Sequence, residues 1–209
     1  MTRPYPPRHL VEASELEAPD RFEPDAELAN WITETFITGS GPLVNPDHEH
    51  LSEAHIGFLW TNCYNAKQMR VVLGQAEIMP PMAMGKWQRA RAIQQIEEWF
   101  GGEMPDFLIT FGAPACAGMN DASFCALVEH ELYHCAQALD AFGMPKFNKE
   151  GQPVYAIRGH DVEEFVGVVR RYGSDAAGVK PMVEAAKAKP LIDGAEIDGI
   201  CGTCLRAAA

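Results

Sequence analysis

Apolar residues recur every three or four positions in several stretches of this chain, which is the pattern of amphipathic helices. The clearest stretches cover residues 26–38, 86–100 and 123–142. A glycine follows each of them, and Gly143 with Pro145 marks the end of the third, as is typical of helix C-termini. The pattern therefore predicts three helices with one buried face each. The predicted buried face of the second helix consists of Trp87, Ala90, Ile93, Ile96 and Phe100.

Two weaker helical patterns follow in the C-terminal third of the chain. One begins near residue 160 and ends at Gly173, and the other covers residues 176–188. Shorter runs rich in β-branched and aromatic residues predict strands over 54–61 and 106–111.

A third strand is predicted over 68–79, as the hairpin partner of 54–61, with the turn around Asn65 and Ala66. The strand at 106–111 comes shortly before a long helix. It is predicted either as a sheet-edge strand that could accept an extended peptide, or equally as a core strand.

These elements divide the chain into three parts. Residues 1–25, which are rich in proline and acidic residues, predict a flexible N-terminal arm. Residues 26–175 hold the long elements and predict one folded domain, a size that supports a single core. Residues 176–209 predict a weak helix followed by a tail. No apolar run has the length of a membrane span and the N-terminus lacks a secretory signal, so we expect a cytoplasmic protein, in a bacterium or a phage-infected cell.

The net charge of −12 argues against sequence-independent binding to nucleic acid, because such binding needs lysine and arginine to neutralise phosphates. The six cysteines are expected to be thiols, because disulfides are rare in the cytoplasm. Neither property indicates an activity, which has to come from a motif.

The motif is H-E-x-x-H at residues 130–134, within the third predicted helix. Residues four apart lie on the same face of a helix, so His130 and His134 can direct two imidazoles at one metal ion. Glu131 can reach a water molecule on that metal. Two nitrogen ligands, an open position and a carboxylate base are the arrangement of a zinc hydrolase.

A catalytic zinc ion usually has three protein ligands, so a third is needed. His160 is the leading candidate, since it follows a turn and begins a predicted helix. Glu163 and Glu164 are the alternatives, because a carboxylate from a second helix also completes such sites. Glu163 or Asp161 could instead hold the imidazole of His160 through a hydrogen bond.

The sequence H-E-L-Y-H at 130–134, followed by G-H-D-V-E-E-F at 159–165 and V-V-R-R-Y-G at 168–173, resembles the putative phage metallopeptidase family. The resemblance covers about residues 46–173. More distantly, the chain is similar to the SprT-like zinc proteases. The resemblance implies an α+β protein with a minimal zincin-like metalloprotease fold. In that fold a small mixed or antiparallel sheet packs with the H-E-x-x-H helix and two or three further helices.

The resemblance also implies Zn²⁺ on His130, His134 and His160, with Glu131 as the base. SprT-like proteins often carry a four-cysteine zinc ribbon and bind DNA. This chain has only Cys201 and Cys204 near its end, which is half of a structural zinc site. We therefore interpret these two cysteines as tail thiols, and a role linked to DNA is not expected.

The predicted function is hydrolysis of peptide bonds in a peptide or protein substrate by water that the metal activates and Glu131 deprotonates. The oxyanion would need a further donor, for which Tyr155 and Arg158 are candidates because they precede His160; Tyr133, inside the motif, is expected to pack. The alternative is a catalytically inactive protein of the same fold that binds zinc or a partner.

Overall fold

The computed structural model describes residues 2–13, 18–67, 70–82, 84–162, 166–176, 178–196 and 200–203. Its helices are α1 (Arg8–Ala13), α2 (Ala26–Ile32), α3 (Lys86–Trp99), α4 (Ala113–Ala117), α5 (Asp121–His134), α6 (Val166–Ala176) and α7 (Lys180–Lys187). Its strands are β1 (Phe22–Pro24), β2 (Ile56–Thr61), β3 (Ala66–Lys67), β4 (Arg70–Ile78), β5 (Phe107–Gly112), β6 (Cys135–Gln137), β7 (Tyr155–Ile157) and β8 (Ile200–Cys201). A π-helical turn, Thr33–Ile37, extends α2, and a 3₁₀ helix covers Pro46–Leu51.

A mixed sheet forms the centre of the fold, with strand order β1-β2-β5-β4-β3. Strands β2 and β5 are parallel, whereas β4 is antiparallel to β5. Strand β8 also pairs with β4, in the parallel direction, and β6 pairs with β7 in a separate small sheet. The predicted α+β class, with a small mixed sheet packed against the H-E-x-x-H helix and further helices, is confirmed.

Aromatic packing fixes helix α5 on this sheet. The ring of Phe124, in the first half of α5, stacks on Trp60 of β2 with centroids 5.8 Å apart and meets Phe111 of β5 at 5.7 Å. Trp31 of α2 also stacks on Phe124, with ring centroids 6.0 Å apart. Aromatic pairs of this kind add to the apolar burial that holds layers together. These aromatic contacts therefore fix the first half of α5 against β2, β5 and α2.

The three predicted strands correspond to β2, β4 and β5, but their pairing was not predicted correctly. The predicted hairpin between β2 and β4 is wrong, because β5 lies between them and pairs with both. The sheet-edge interpretation of residues 106–111 is wrong for the same reason, and the strand is a core strand. Local alternation of apolar residues shows which side of a strand is buried but not which strand lies beside it.

The motif helix is shorter than predicted. It begins at its cap residue Asn120, whose side chain accepts from the amide of Ser123 at 2.8 Å, but it ends at His134 and does not continue to residue 142. Cys135 has extended backbone angles because β6 leaves the helix to pair with β7. The apolar stripe of the prediction included Phe142, which is 90% exposed. The motif therefore lies in the last turns of α5 and not in its middle.

Helix α3 has almost the predicted bounds, with a different buried face. Ile96 is buried, but Trp87 is 84% exposed, so its predicted inward position is wrong. Gly173 has a positive φ of 84° that interrupts α6 where the sequence predicted a helix end. Within the described part of the chain, no helix combines the length and apolar character that crossing a bilayer requires.

The N-terminal segment, residues 2–13, contacts the core. The Arg3 side chain is buried and donates to the Asp121 carboxylate at 2.9 Å and to the Met119 carbonyl at 2.6 Å. Leu10, on α1, is fully buried. These contacts connect residues 2–13 to the start of the motif helix. The division of the chain into an arm, a domain and a tail stays a prediction.

Candidate metal centre

Three histidines converge at the end of helix α5. His130 and His134 lie one turn apart on the same face, and their Nε2 atoms are 3.2 Å from each other. His160, in the loop that follows β7, places its Nε2 3.3 Å from the Nε2 of His130. Thirty residues separate these two in sequence, so the β6–β7 pairing is what brings the loop back to the helix.

The spacing of these nitrogens fits a metal ion. Two imidazole nitrogens bound at about 2.0–2.1 Å to a tetrahedral zinc ion lie roughly 3.3 Å apart. The Nδ1 of His134 lies 2.6 Å from the backbone carbonyl of Arg158 and must donate to it, since a carbonyl only accepts. This bond leaves Nε2 as the coordinating atom of His134, which is the usual arrangement of a histidine ligand.

A fourth donor reaches the site from the end of the chain. The Sγ of Cys201, on β8, is 3.3 Å from the Nε2 of His134 and 3.6 Å from Oε2 of Glu131. The potential ligand atoms of His130, His134 and Cys201 all lie within 4.8 Å of one another. Three donors from two distant parts of the chain thus form a candidate metal group.

Sequence reasoning missed the role of Cys201, which it interpreted as a tail thiol paired with Cys204. The pattern of two cysteines was the available signal, but nothing local connected it to a helix 67 residues away. Cys204 lies outside the described residues.

Glu131 is completely buried beside these donors. Its carboxylate lies against Gly74 of β4, where a Cβ atom would come within 2.8 Å of Oε1. Among the described residues, Oε1 has no hydrogen-bond partner, while Oε2 lies 3.4 Å from the hydroxyl oxygen of Thr203. The pKa of Glu131 is raised to about 9, mainly by burial and then by the neighbouring Cys201. The site therefore holds a carboxyl group that faces the donors but is sealed from solvent.

Comparison with known proteins agrees with this arrangement. Residues 29–187, well over half of the chain, match the family described as Putative phage metallopeptidase. The chain belongs to this family. No curated protein and no solved structure matched it. The resemblance deduced from the motifs at 130–134 and 159–165 is confirmed, and a metal is implied both by the family and by the donor group.

The candidate metal centre opens into a cleft of about 480 Å³. Arg158 and Asp161 line one side, and the Arg158 guanidinium donates to the Asp161 carboxylate. Asp161 thus holds Arg158, and its predicted role in orienting His160 stays a prediction. Tyr155 packs against Phe107 with ring centroids 5.2 Å apart, and its hydroxyl is buried with no partner among the described residues. The alternative ligands Glu163 and Glu164 lie outside the described residues.

Tyr133 also lines the cleft. Its hydroxyl accepts from Nδ2 of Asn45 and donates to Oδ2 of Asp47, both at 2.9 Å. Its ring meets the ring of His48 edge to face at 4.7 Å. The motif tyrosine is therefore held in place by the 3₁₀ helix, as expected for a packing residue.

His48 beneath this tyrosine is fully buried, and neither of its ring nitrogens has a hydrogen-bond partner among the described residues. Glu129 is the nearest carboxylate, 3.9 Å from Nε2. The pKa of His48 is lowered to about 4, mainly by burial and then by His50, while Asp47 acts in the opposite direction. The folded protein thus holds His48 in its neutral form.

We expect this burial to make the fold acid-sensitive. His48 titrates near 6.5 when unfolded and near 4 when folded, so the unfolded state binds more protons between these values. The contribution of His48 to the free energy of unfolding is fully present above pH 6.5 and is lost as the pH drops toward 4, by up to about 3 kcal/mol. Urea unfolding of the metal-free protein between pH 7.5 and 4.5 measures this loss. His48→Leu should flatten the pH dependence, whereas the exposed His55→Leu should not; equal curves for all three proteins would contradict the expectation.

Proposed function

We propose that this family member is a zinc-dependent peptidase in which His130, His134 and His160 hold zinc and Glu131 is the base. The observation that carries the proposal is the convergence of three Nε2 atoms, with contacts of 3.2 and 3.3 Å, beside a carboxyl group in the same helix. Zinc is the metal that best suits this set, since imidazole nitrogens in tetrahedral positions with one carboxylate nearby are typical of zinc hydrolases.

When bound, zinc would lower the pKa of a water molecule and polarise the substrate carbonyl. The remaining steps belong to the protein. Oε1 of Glu131 takes a proton from the attacking water and later gives it to the leaving amine. The bond from His134 to the Arg158 carbonyl keeps that imidazole oriented.

Arg158 supports the oxyanion role better than Tyr155 does. Its guanidinium lines the cleft beside the histidines and is held there by Asp161. Tyr155 is packed on Phe107 with its hydroxyl buried. A charged donor at the cleft wall could stabilise the negative charge that develops on a cleaved peptide carbonyl. The substrate is accordingly a peptide or protein, and the expected cytoplasmic location remains part of this proposal.

The second candidate function is a closed zinc site without catalysis, in a protein that binds a partner. The observation in its favour is Cys201, because with three histidines it would supply four donors, as structural zinc sites have. Glu131 argues against it, since a structural site needs no buried carboxyl group beside the metal.

Metal content and hydrolysis of the purified full chain test the proposal together. Mass spectrometry should find about one zinc per chain, as one tetrahedral site requires. Cleavage of an unfolded protein such as casein should stop when zinc is chelated and return when zinc is added back. The assay is run on wild type and on Cys201→Ala, because the Cys201 sulfur lies at the metal group and could block cleavage in wild type. A protein that binds no zinc after its addition, or binds zinc and cleaves nothing in either form, would contradict the peptidase.

A further inference from the structure

The last described residues, 200–203, lie along the edge of strand β4 next to the candidate metal centre. Strand β8 runs parallel to β4, and the amide of Gly202 donates to the Gly74 carbonyl at 2.8 Å. The Thr203 hydroxyl accepts from the Ala76 amide at 2.7 Å and donates to the Ala76 carbonyl at 2.9 Å. Gly202 and Thr203 are both buried. The segment is thus docked by specific backbone contacts and does not merely rest on the surface.

This docking encloses the proposed base. Thr203 contacts Oε2 of Glu131 at 3.4 Å and the Cys201 sulfur contacts the same oxygen at 3.6 Å, so Glu131 has no exposed surface. Oε1 is buried with no hydrogen-bond partner among the described residues. An unpaired buried oxygen is costly. Its position is explained if it is kept for a proton donor that enters when the segment leaves.

The sulfur also stands where a hydrolytic site needs space. A catalytic zinc site keeps one of four positions for water or substrate, whereas a site with four protein donors is closed. The Sγ atom of Cys201 lies 3.3 Å from the Nε2 of His134. The Nε2 atoms of the histidines lie 3.2 and 3.3 Å apart, so the sulfur is as close to His134 as the histidine nitrogens are to one another. A thiolate is a strong zinc ligand, so this side chain would take the position of the attacking water.

We propose that residues 200–203 are an autoinhibitory segment, which closes the metal centre with the Cys201 thiolate and covers Glu131 from the edge of β4. The inference rests on the proposed peptidase function. The protein is latent while the segment is docked and becomes active when the segment leaves. An extended peptide that pairs with this edge of β4 competes with the segment for the same backbone groups.

Two substitutions of matched size test the proposal. Cys201→Ala removes the sulfur, and Cys63→Ala, at a half-buried thiol outside the metal group, is the control. If the site is open in a tenth of the molecules or fewer, Cys201→Ala should raise casein hydrolysis by about tenfold or more, since apparent activity scales with the open fraction. Cys63→Ala should leave the rate unchanged.

Two readouts do not depend on activity. In the cobalt-substituted protein, a thiolate-to-cobalt charge-transfer band should be present in wild type and Cys63→Ala and absent in Cys201→Ala. Alkylation by iodoacetamide, followed for each cysteine by mass spectrometry, should be slow at Cys201 in the zinc-loaded protein and faster after chelation, because a coordinated thiolate is less accessible to the reagent.

Thr203→Val keeps the sulfur and loosens the segment, so it tests the proposal even if Cys201→Ala folds poorly. The isosteric valine loses both hydrogen bonds to Ala76. It should speed alkylation of Cys201 in the zinc-loaded protein and raise hydrolysis in the same direction as Cys201→Ala. An unchanged alkylation rate in Thr203→Val would show that the segment is not held in this way and would overturn the inference.

The remaining outcomes separate the inference from the proposed function. Equal hydrolysis by wild type and Cys201→Ala would overturn autoinhibition and leave the peptidase intact. A cobalt band that Cys201→Ala removes, with no hydrolysis by either protein, would overturn the peptidase and with it the latency, leaving a closed four-donor site. A missing cobalt band with fast alkylation of Cys201 in the metal-loaded wild type would overturn the inference alone.

Discussion

Glu131→Gln is expected to lower peptide hydrolysis by about 10²–10⁴-fold, the usual contribution of a positioned general acid–base group. Glutamine has nearly the same shape and keeps a carbonyl oxygen beside Thr203, but it cannot take a proton from water. Because no metal ligand is changed, zinc content should remain that of the parent protein. The rate constant kcat on a peptide or casein substrate, with zinc content by mass spectrometry, measures both effects. Cys201→Ala is the suitable parent, since under the inference above its metal centre is no longer closed by the sulfur.

The matched control is Glu98→Gln on helix α3, where the carboxylate is exposed and accepts from Gln94. It should alter neither kcat nor zinc content. Full hydrolysis by Glu131→Gln would show that another group deprotonates water and would contradict the assigned role. A loss of hydrolysis together with zinc would instead make Glu131 a structural support of the metal centre.

Residues that are close in sequence gave the part of the site that could be predicted. Four-residue spacing placed His130 and His134 together, and the same motif assigned Glu131. The asparagine cap of α5, Asn120, is likewise a local signal, since its side chain bonds to an amide only three residues away. The prediction of His160 depended on a turn before a helix and on the family resemblance. The structure brings His160 to the helix, and its role as a ligand stays a prediction.

The features that could not be predicted depend on contacts between distant segments. The apolar pattern continued through Leu139 and Phe142, so the local sequence gave no signal that α5 ends at His134. The helix ends there because β6 pairs with β7. The place of β5 between β2 and β4 is likewise a matter of topology. Cys201 reaches the metal centre only because β8 pairs with β4, and two-residue strands have no sequence signature. Global packing decided each of these cases against a plausible local alternative.

The same long-range packing explains how Glu131 can be buried at all. Its carboxyl group requires a neighbour without a Cβ atom, which Gly74 of β4 supplies. A carboxyl group enclosed in this way favours its neutral form, which is why its pKa is raised. Displacement of the 200–203 segment would return one side of the carboxyl group to water. Under this inference, the docked segment keeps the Glu131 carboxyl group buried and neutral, and its departure lets the carboxylate act as a base.

His160→Ala is expected to weaken zinc binding by more than the roughly 10–100-fold that loss of a partner outside the coordination sphere costs. The reason is that the His160 nitrogen, 3.3 Å from that of His130, supplies one of the proposed coordinating atoms. Competition with a chelator of known affinity measures the zinc dissociation constant. Glu163→Ala and Glu164→Ala test the alternative carboxylate ligands, and His55→Ala, an exposed histidine away from the cleft, is the control and should have no effect.

The Cys201 sulfur makes this measurement informative only when it is done twice, in wild type and in Cys201→Ala. With the thiolate present, His130, His134 and Cys201 could retain zinc by themselves, so His160→Ala alone understates the contribution of His160. The two substitutions act on one ion if both residues are ligands, and their effects on zinc affinity should then be non-additive, with the double variant losing more than the sum. Additive effects would mean that only one of them binds the metal. A large loss in Glu163→Ala or Glu164→Ala, with none in His160→Ala on either background, would replace the three-histidine site by two histidines and a carboxylate.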